Sequence, residues 1–343
     1  MTITTTTRDI AMREAANEAI RSEMQRDESI IVLGEDIAGG AGKEDEGFVE
    51  SWGGPFRTYK DLTPEFGPSR IKDTPISEGG FIGAAIGAAT VGLRPIAELM
   101  FSDFIGVCLD QILNNAAKMR YMYGGQVKVP VTIITHIGAG TGAAAQHSGS
   151  TYSMLAHIPG LKVVVPSDPY TVKGLLIAAI RDDDPVIVNL HHKSFGDVGA
   201  VPEEPYALPL DQARVVREGS DVTLVGVSSM TGVCRQAADL LEQDDIDAEV
   251  VDLLCLSPMD TDTVLESVRK TTRIVVVDED WPRCSIASEV VSLVAEEALD
   301  WLDAPPVKVT APHTPVPFSP VLERAYIPNA ESVRAAARTT CRK

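Results

Sequence analysis

Short runs of valine and isoleucine alternate with helix-patterned segments along almost the whole chain. In the first half the apolar runs are SIIVLGED, VKVPVTIITH, GLKVVVPSD and VIVNLHH. The segments between them carry apolar residues at helical spacing. Strands that alternate with helices form parallel sheets in which helices cover both faces. The pattern therefore predicts an α/β fold with largely parallel sheets.

The alternation is interrupted once and then restarts. A polar, proline-rich passage, GDVGAVPEEPYALPLDQA, separates the first half from the runs DVTLVGVSS, AEVVDLLCL, RIVVVDED and PVKVTAP. The chain has 343 residues, whereas single domains usually have ~100–200. We therefore predict a first domain at 1–198, a linker at 199–213 and a smaller α/β domain at 214–343.

Composition excludes several classes of partner. The net charge is −19 without a basic stripe, so nucleic acid is not an expected partner. No apolar run reaches the ~20 residues of a membrane helix. The five cysteines are never spaced as CxxC, which argues against disulfides and a zinc site. The beginning of the sequence lacks a secretory or transit pattern, so a cytoplasmic location is expected.

Glu78 stands in KDTPISEGG, directly before a helix-patterned segment of small residues, GGFIGAAIGAAT. A carboxylate in such an apolar, Gly-rich setting can hydrogen-bond a heterocycle. An acid in the first turn of a helix is also favoured by the helix dipole, without any functional role. Spacing by itself leaves both interpretations open.

The stretch TGAAAQHSGS places His147 among very small side chains. Histidine titrates near neutral pH and can act as an acid or a base. The alanines at 143–145 leave room for a ligand, and Gln146 and Ser148 can orient the ring. The alternative is a structural histidine whose two nitrogens are satisfied by a tight turn.

Other motifs point less clearly to a site. Met100, Phe101 and Phe104 end a predicted strand, where they can stack on a flat ring or simply pack in the core. The turn GAGTGA resembles a dinucleotide-binding turn, but neither the helix nor the acid that such a site requires follows it. The Gly-rich acidic stretch 39–59 is predicted to be a long exposed loop of functional importance. His136 and His157 are interpreted as structural.

Taken together, the segments resemble one family. DTPISEGGFIGAAIGAATVGLRPIAELM, DQILNNAAKMRYMYGG, AAAQHS, HIPGLKVVVPSDP, AIRDDDPV, SPMD and WPRCSIASEV occur in the same order as in β subunits of the decarboxylating component of 2-oxoacid dehydrogenase complexes. The stretches GEDIAGGAG…WGG, ELMFSDF and TAPHTPVPFSP are most similar to the acetoin dehydrogenase branch. The resemblance implies a transketolase-like pyrimidine-binding domain followed by a transketolase C-terminal domain.

The resemblance also implies a cofactor and partners. The family uses thiamine diphosphate and holds its Mg²⁺ and diphosphate with a GDG…N motif, which this chain lacks. The resemblance therefore assigns that half of the site to an α subunit in an α2β2 heterotetramer. A lipoyl acyltransferase and a small-molecule substrate are the other implied partners.

Residue roles follow from the same resemblance. Glu78 matches the glutamate that hydrogen-bonds the aminopyrimidine nitrogen, and Met100 and Phe104 match residues packed on the pyrimidine ring. His147 matches the histidine that transfers protons when the acyl group passes to lipoamide. The implied catalytic residues are therefore Glu78 and His147.

A monovalent cation site, with K⁺ as the candidate ion, is implied mostly through carbonyl oxygens. The matching positions are Val131, Ala179, Asp182 and Asp184, the last replacing the usual asparagine. Without the resemblance, the acidic turn Asp182–Asp184 is more typical of a solvated turn than of a cation site.

The expected function is that of an acetoin dehydrogenase β subunit, which cleaves acetoin and passes an acetyl group to lipoamide. Departures from near relatives at Gly149, His191 and Leu254 leave the acceptor and partner open. The alternatives are a pyruvate or branched-chain 2-oxoacid dehydrogenase subunit, a thiamine-dependent biosynthetic carboligase subunit, and an inactive assembly subunit.

Overall fold

The computed structural model describes residues 6–39 and 52–341. Most of the loop predicted at 39–59, namely residues 40–51, lies outside the described residues. The chain divides into two compact units. One comprises the residues up to Ile137 and Met154–Leu210, and the other comprises Gly138–Ser153 and the residues from Asp211 onwards.

The first unit alternates strands and helices as its sequence predicts. Its elements are β1 (Thr7–Ala11), α1 (Met12–Arg26), β2 (Ile30–Gly34), α2 (Leu62–Phe66), β3 (Ile71–Asp73), α3 (Glu78–Thr90), β4 (Arg94–Leu99), α4 (Ile105–Asp110), α5 (Met119–Met122), β5 (Thr132–Ile137), α6 (Tyr152–Ala156, which spans the boundary), β6 (Lys162–Val164), α7 (Pro169–Arg181), β7 (Val186–His191) and β8 (Val198–Pro202).

Six strands of this unit form one sheet in the order β6-β7-β5-β4-β2-β3, and every neighbouring pair is parallel. All residues of β5 and β7 are buried. Strands covered on both faces lack the regular apolar and polar alternation of a half-exposed sheet, and β5 and β7 have no such alternation. Strands β1 and β8 form a separate antiparallel ribbon.

Helices cover this sheet through close contacts. Helix α1 packs against α7, and the two are joined by Arg181, whose Nε and Nη2 donate to the two carboxylate oxygens of Glu23 at 3.0 and 2.7 Å. Such a two-point pair has a fixed geometry. Helix α3 packs against α4, where a Cβ on Gly79 would meet the carbonyl oxygen of Val107 at 3.2 Å. The small residues of α3 therefore allow this approach.

One predicted helix, DQILNNAAKMRYMYGG, is interrupted in the structure. A π-helical stretch, Gln111–Ala116, lies between α4 and α5, and the Asn115 side chain donates to the carbonyl oxygen of Asp110 at 3.4 Å. Asparagine side chains compete with the helical backbone in this way. The predicted stop at Gly124 and Gly125 is present, because both have positive φ and Gly125 N–H donates to Arg120 O.

The second unit repeats the alternation on a smaller scale. Its elements are β9 (Arg214–Arg217), β10 (Val222–Gly226), α8 (Met230–Glu242), β11 (Ala248–Asp252), β12 (Cys255–Ser257), α9 (Thr261–Thr271), β13 (Ile274–Asp278), α10 (Ile286–Glu297), β14 (Val307–Thr310), α11 (Pro320–Tyr326) and α12 (Ala330–Cys341). The sheet order is β14-β13-β10-β11-β9, parallel except for the edge strand β9.

Alternate residues of β10 face opposite sides of this sheet. Val222 and Leu224 pack in an apolar cluster with residues of α8 and α12. Thr223 hydrogen-bonds Ser267 and Thr271 of α9, with both oxygen distances at 2.7 Å. The sheet is therefore covered on both faces, which confirms the predicted two-domain α/β fold with largely parallel sheets.

The segment Gly138–Ser153 is the point at which the structural units differ from the predicted domains. The sequence places it within the first domain because it follows a strand of that domain. In the structure its contacts group it with the second unit, whose boundary otherwise falls at Asp211. No helix in the described part of the chain is both long and apolar enough to span a membrane.

Candidate functional site

Polar and aromatic side chains collect where the parallel strands of the first unit end. Glu35 follows β2, Met100 follows β4, and His191 is the last residue of β7. Glu98 and His136 lie near the ends of β4 and β5. Ligands bind outside the carboxyl ends of the strands in open α/β sheets. This edge, called the strand-end site below, is therefore a candidate binding site.

Glu78 begins α3, and only 7% of its surface is exposed. Its neighbours Phe81 and Ile82 are also buried, so the carboxylate stands at the start of an apolar helix. The positive end of the helix dipole favours an acid at this position. The dipole alone does not account for burial, because a surface position offers the same electrostatic gain without loss of hydration.

A cluster of carboxylates surrounds this position. Burial raises the pKa of Glu35, and the negative charges of Glu78, Asp36 and Glu98 raise it further. Oε1 of Glu35 is buried and has no hydrogen-bond partner among the described residues. A buried polar atom without a partner is uncommon and indicates a place where a ligand or water completes the bonding.

Glu98 is paired with a histidine. Nε2 of His136 lies 3.0 Å from Oε1 of Glu98, and both side chains are almost fully buried. The ring of Phe56 lies over the imidazole with a centroid distance of 3.8 Å. His136, which its sequence context predicts to be structural, therefore contacts the acidic cluster directly.

Cys108 lies near Glu78 but is not suited to nucleophilic chemistry. Burial raises the pKa of the thiol to about 12, and the charge of Glu78 contributes in the same direction. A thiolate, not a thiol, is the nucleophilic form. Cys108 therefore acts as a small buried side chain behind the site.

Aromatic rings form the other wall of the strand-end site. Phe101 contacts Phe104 edge to face at 5.8 Å and Phe56 at 5.5 Å. It also contacts His192, at a centroid distance of 6.0 Å. Met100 and Phe104 are half-buried and keep part of their surface available. Flat rings and a thioether pack well on a planar heterocycle.

The last part of the predicted loop is packed rather than exposed. Tyr59 and Thr58 have no exposed surface, whereas Trp52 is exposed. Burial raises the pKa of Tyr59 well above its ordinary value, and the nearby carboxylate of Glu98 adds to that effect. The prediction of an exposed loop is therefore wrong for Thr58 and Tyr59, because the apolar surface of the tyrosine ring favours burial.

His147 belongs to the second unit, on the segment Gly138–Ser153. Its backbone N–H donates to Ala144 O at 3.3 Å, and Ala144 has a positive φ of 64°. Gly138 N–H donates to Gly149 O at 3.4 Å and closes the loop. The side chain of His147 is half-buried, so the ring is accessible.

The positions predicted to bind K⁺ lie in the first unit among hydrogen bonds and ion pairs. Val131 O accepts from Val186 N, and Ala179 O accepts from Asp182 N. The Asp182 carboxylate accepts from Lys162 Nζ at 2.6 Å, and that of Asp184 pairs with Arg120. Each carbonyl retains a second lone pair. The K⁺ site stays a prediction, and no group of three potential metal-binding side chains occurs within 6–39 and 52–341.

Sequence reasoning overlooked several members of the strand-end site. Glu35, Glu98 and Phe56 were not singled out, although Glu98 is a charged residue inside the apolar strand RPIAEL. A charge within a strand that is buried on both faces is a usable signal, because such a group needs a partner. The partner, His136, lies on a neighbouring strand, and only the sheet order reveals this contact.

Comparison with known proteins agrees with this architecture. Residues 8–196 match the transketolase pyrimidine-binding domain and residues 211–333 match the transketolase C-terminal domain. The structure resembles a split-gene transketolase described as an inactive β4 tetramer, with a TM-score of 0.77 and 27% sequence identity over 97% of this chain and 98% of the other.

Sequence relatives are similar over almost their full length. The chain is 54% identical to the β subunit of acetoin:2,6-dichlorophenolindophenol oxidoreductase from Cupriavidus necator, over 97% of this chain and 98% of the relative. The β subunit of the same name from Bacillus subtilis is 51% identical, over 95% of each chain. The pyruvate dehydrogenase E1 β subunit of Rickettsia felis is 41% identical, over 97% and 98%.

These matches span both units and confirm the resemblance seen in the sequence. The chain therefore belongs to the transketolase-like family that comprises the β subunits of acetoin:2,6-dichlorophenolindophenol oxidoreductase and of the pyruvate dehydrogenase E1 component.

Proposed function

We propose that this chain is the β subunit of a thiamine-diphosphate-dependent acetoin dehydrogenase. It works with an α subunit in an α2β2 heterotetramer and cleaves acetoin, which releases acetaldehyde. The remaining two-carbon unit passes to lipoamide on an acyltransferase component, where it becomes an acetyl group as the lipoyl disulfide is reduced. The observation that carries the substrate is the difference in identity, 51–54% with acetoin-oxidising β subunits against 41% with a pyruvate dehydrogenase β subunit.

The strand-end site fits the pyrimidine half of thiamine diphosphate. Glu78 supplies a buried carboxylate, and Met100 and Phe104 supply half-buried apolar surface for a flat ring. The buried Oε1 of Glu35 marks a polar place without a partner among the described residues. When bound, thiamine diphosphate supplies the nucleophilic carbon that attacks the substrate carbonyl. In this proposal the α subunit holds Mg²⁺ and the diphosphate.

The residues of this chain then have separate tasks. Glu78 holds a proton between its carboxylate and the aminopyrimidine nitrogen. The rings of Phe101 and Phe104 exclude water, which strengthens that hydrogen bond because electrostatic interactions increase in a less polar medium. His147 moves a proton at an imidazole nitrogen when the acetyl group passes to lipoamide. The carboxylate cluster around Glu35 favours retention of a proton at this edge.

The test is an assay of the assembled enzyme. The chain is co-expressed with its α subunit, supplied with thiamine diphosphate and Mg²⁺, and offered acetoin or pyruvate with 2,6-dichlorophenolindophenol as electron acceptor. We expect dye reduction with acetoin and a kcat/KM at least about tenfold lower with pyruvate, a difference of roughly 1.4 kcal/mol in transition-state stabilisation. The isolated chain is the control and should reduce no dye.

Each alternative predicts a different result. Preference for pyruvate or a branched-chain 2-oxoacid would replace the proposed substrate with a 2-oxoacid. Carbon–carbon bond formation without a lipoyl acceptor would identify a biosynthetic carboligase. An assembled complex that binds thiamine diphosphate without turning over any of these substrates would identify an assembly subunit.

A further inference from the structure

The loop that carries His147 is held by carboxylates bonded to its backbone. Ala139 N–H donates to Oε1 of Glu279 at 2.5 Å. Gly140 N–H donates to Oε1 of Glu323 at 2.6 Å, and Gly142 N–H lies 3.2 and 3.1 Å from the two oxygens of the same carboxylate. All of these residues belong to the second unit. The loop is therefore anchored by charge-assisted hydrogen bonds, which are stronger than neutral ones.

The glycine spacing explains why the N–H groups converge. Gly138, Gly140 and Gly142 have φ values of 96°, 111° and 72°, in the region that glycine enters without a steric penalty. Backbone that departs repeatedly from ordinary φ values can direct successive N–H groups into one concave surface, which binds an anion. In this loop the anion is a carboxylate of the same chain. The GAGTGA turn therefore binds Glu323 and Glu279.

Apolar packing fixes the carboxylate in place. Glu323 lies in α11 with 4% of its surface exposed, and Tyr326 follows one turn later. Tyr326 packs with Ala139, Ala311 and Val316 in a small buried cluster. Because the cluster joins α11 to the start of the loop, Glu323 cannot move away without exposing apolar surface.

The far end of the loop has its own anchors. The Tyr152 hydroxyl donates to Asp278, and Ser153 Oγ donates to Oδ2 of Asp280 at 2.6 Å. His147 therefore lies between two fixed ends, the Glu323 anchor at 140–142 and the acid pair at 152–153. A side chain between two fixed ends has a smaller range of positions than one on a free loop.

We propose that Glu323 is a positioning residue that fixes the backbone of Gly138–Ser153 and thereby the orientation of His147. Its role in turnover rests on the proposed function of His147, whereas its anchoring of the loop does not. Oε1 accepts from Gly140 N–H, and Gly142 N–H is shared between the two oxygens of the carboxylate. Glutamine retains one accepting oxygen and places an NH₂ group against the other N–H.

The variants are Glu323→Ala, Glu323→Gln and, as a matched control, Glu331→Ala on the neighbouring helix α12. Glu331 is largely exposed, and its ion pair with Arg334 is long, at 3.7 Å. Amide hydrogen exchange is followed by mass spectrometry on the full chain assembled with its α subunit. We expect peptides within 138–149 to exchange about tenfold faster or more in Glu323→Ala, with a smaller increase in Glu323→Gln and none in the control.

Turnover is measured on the same preparations with two acceptors. Because His147 is proposed to act when the acetyl group passes to lipoamide, kcat with free lipoamide should fall about tenfold or more in Glu323→Ala. The kcat for dye reduction and the KM for acetoin should each change by less than about twofold. Glu323→Gln should recover part of the lost lipoamide rate.

Four outcomes oppose the proposal or its basis in distinct ways. Unchanged exchange in Glu323→Ala overturns the anchoring. Faster exchange throughout β10, β11 and β13 overturns a local role and shows a general structural one. A loosened loop with unchanged lipoamide turnover overturns the positioning of His147. An inactive wild-type complex with the expected exchange pattern contradicts the proposed function and leaves the anchoring supported.

Discussion

The strand-end site and the His147 loop are built by different means. At the strand-end site, regular elements place the side chains, and Glu78, Glu98 and His136 extend from a helix and two strands that hydrophobic burial already fixes. In the loop, the backbone has no regular hydrogen bonding, and buried carboxylates supply acceptors for its N–H groups. A change at the first site should therefore affect chemistry locally, whereas a change in the second should affect the loop conformation.

The carboxylates of the two regions also have different kinds of neighbours. The strand-end carboxylates contact one another and a histidine, so part of their interaction is repulsive. The carboxylates around the loop mostly accept from N–H and O–H groups. Asp280 accepts such bonds too, but burial, with a contribution from the charge of Asp278, raises its pKa to about 7. The Asp280 carboxylate, which accepts from Ser153 at the end of the His147 loop, can therefore bind a proton near physiological pH.

The largest expected effect is that of Glu78→Gln on turnover. The substitution keeps size and hydrogen bonding but removes the exchangeable proton of the carboxyl group, so kcat for acetoin should fall about 100-fold or more. Stability should not decrease, since the change removes a negative charge near Glu35. Dye reduction and thermal melting of the assembled enzyme measure both. Retention of full activity would show that Glu78 is only a helix-terminal acid.

The next effect concerns stability at the strand-end site. Glu98→Ala leaves the buried imidazole of His136 without its partner and opens a small cavity, which should lower the free energy of unfolding by about 2–4 kcal/mol. Glu98→Gln keeps an oxygen that can accept from Nε2 and should cost less. Urea unfolding of the chain measures both variants. An equal loss in the two would mean that charge, rather than packing and hydrogen bonding, decides stability here.

The pH dependence of the unfolding free energy tests the raised pKa of Asp280. The folded pKa of Asp280, about 7, is above the unfolded reference of 3.8, so the folded state binds the proton more tightly. Stability from this group is complete at low pH and is lost as the pH rises towards the folded pKa. Asp280→Asn should match the wild type only near pH 3, below the unfolded value, and its advantage in unfolding free energy should grow by about 2–3 kcal/mol between pH 5 and pH 8.

The measurement is urea unfolding of the wild type and of Asp280→Asn across this pH range. Groups other than Asp280 titrate in both proteins, so the difference between the two curves isolates this carboxylate and its coupling to Asp278. Parallel curves from pH 5 to 8 would contradict a raised pKa at Asp280.

The smallest expected effect separates glycine positions within the second unit. Gly140 has φ of 111°, so Gly140→Ala should cost about 1–2 kcal/mol through backbone strain and should increase exchange in the loop. Gly232 lies in α8, where an added methyl meets nothing within 4 Å. Gly232→Ala should therefore stabilise the chain by up to about 1 kcal/mol. Chemical unfolding compares the pair, and equal effects would mean that the loop adapts without strain.

The sequence predicted the fold class because burial on both faces leaves a direct mark on composition. Runs such as TIITHI and VIVNLH lack the regular apolar and polar alternation of a half-exposed strand, and all of their residues are buried. The interrupted helix at 105–122 was harder to predict, because it depends on how Asn115 and Cys108 are placed in the packed unit. Local propensity is a weak determinant where tertiary contacts compete with it.

For the candidate site, the order of residues is enough to predict which chemical groups are present: a carboxylate before an apolar helix, aromatic residues after a strand, and a histidine among small residues. Which of these groups contact one another depends on how the chain folds. Glu98 meets His136 because β4 and β5 are neighbours, and Gly140 meets Glu323 although 183 positions separate them in the chain. The spacing of apolar residues, which predicts burial, is a local property of the sequence. The pairing of buried polar groups depends instead on sheet order and on contacts between distant segments.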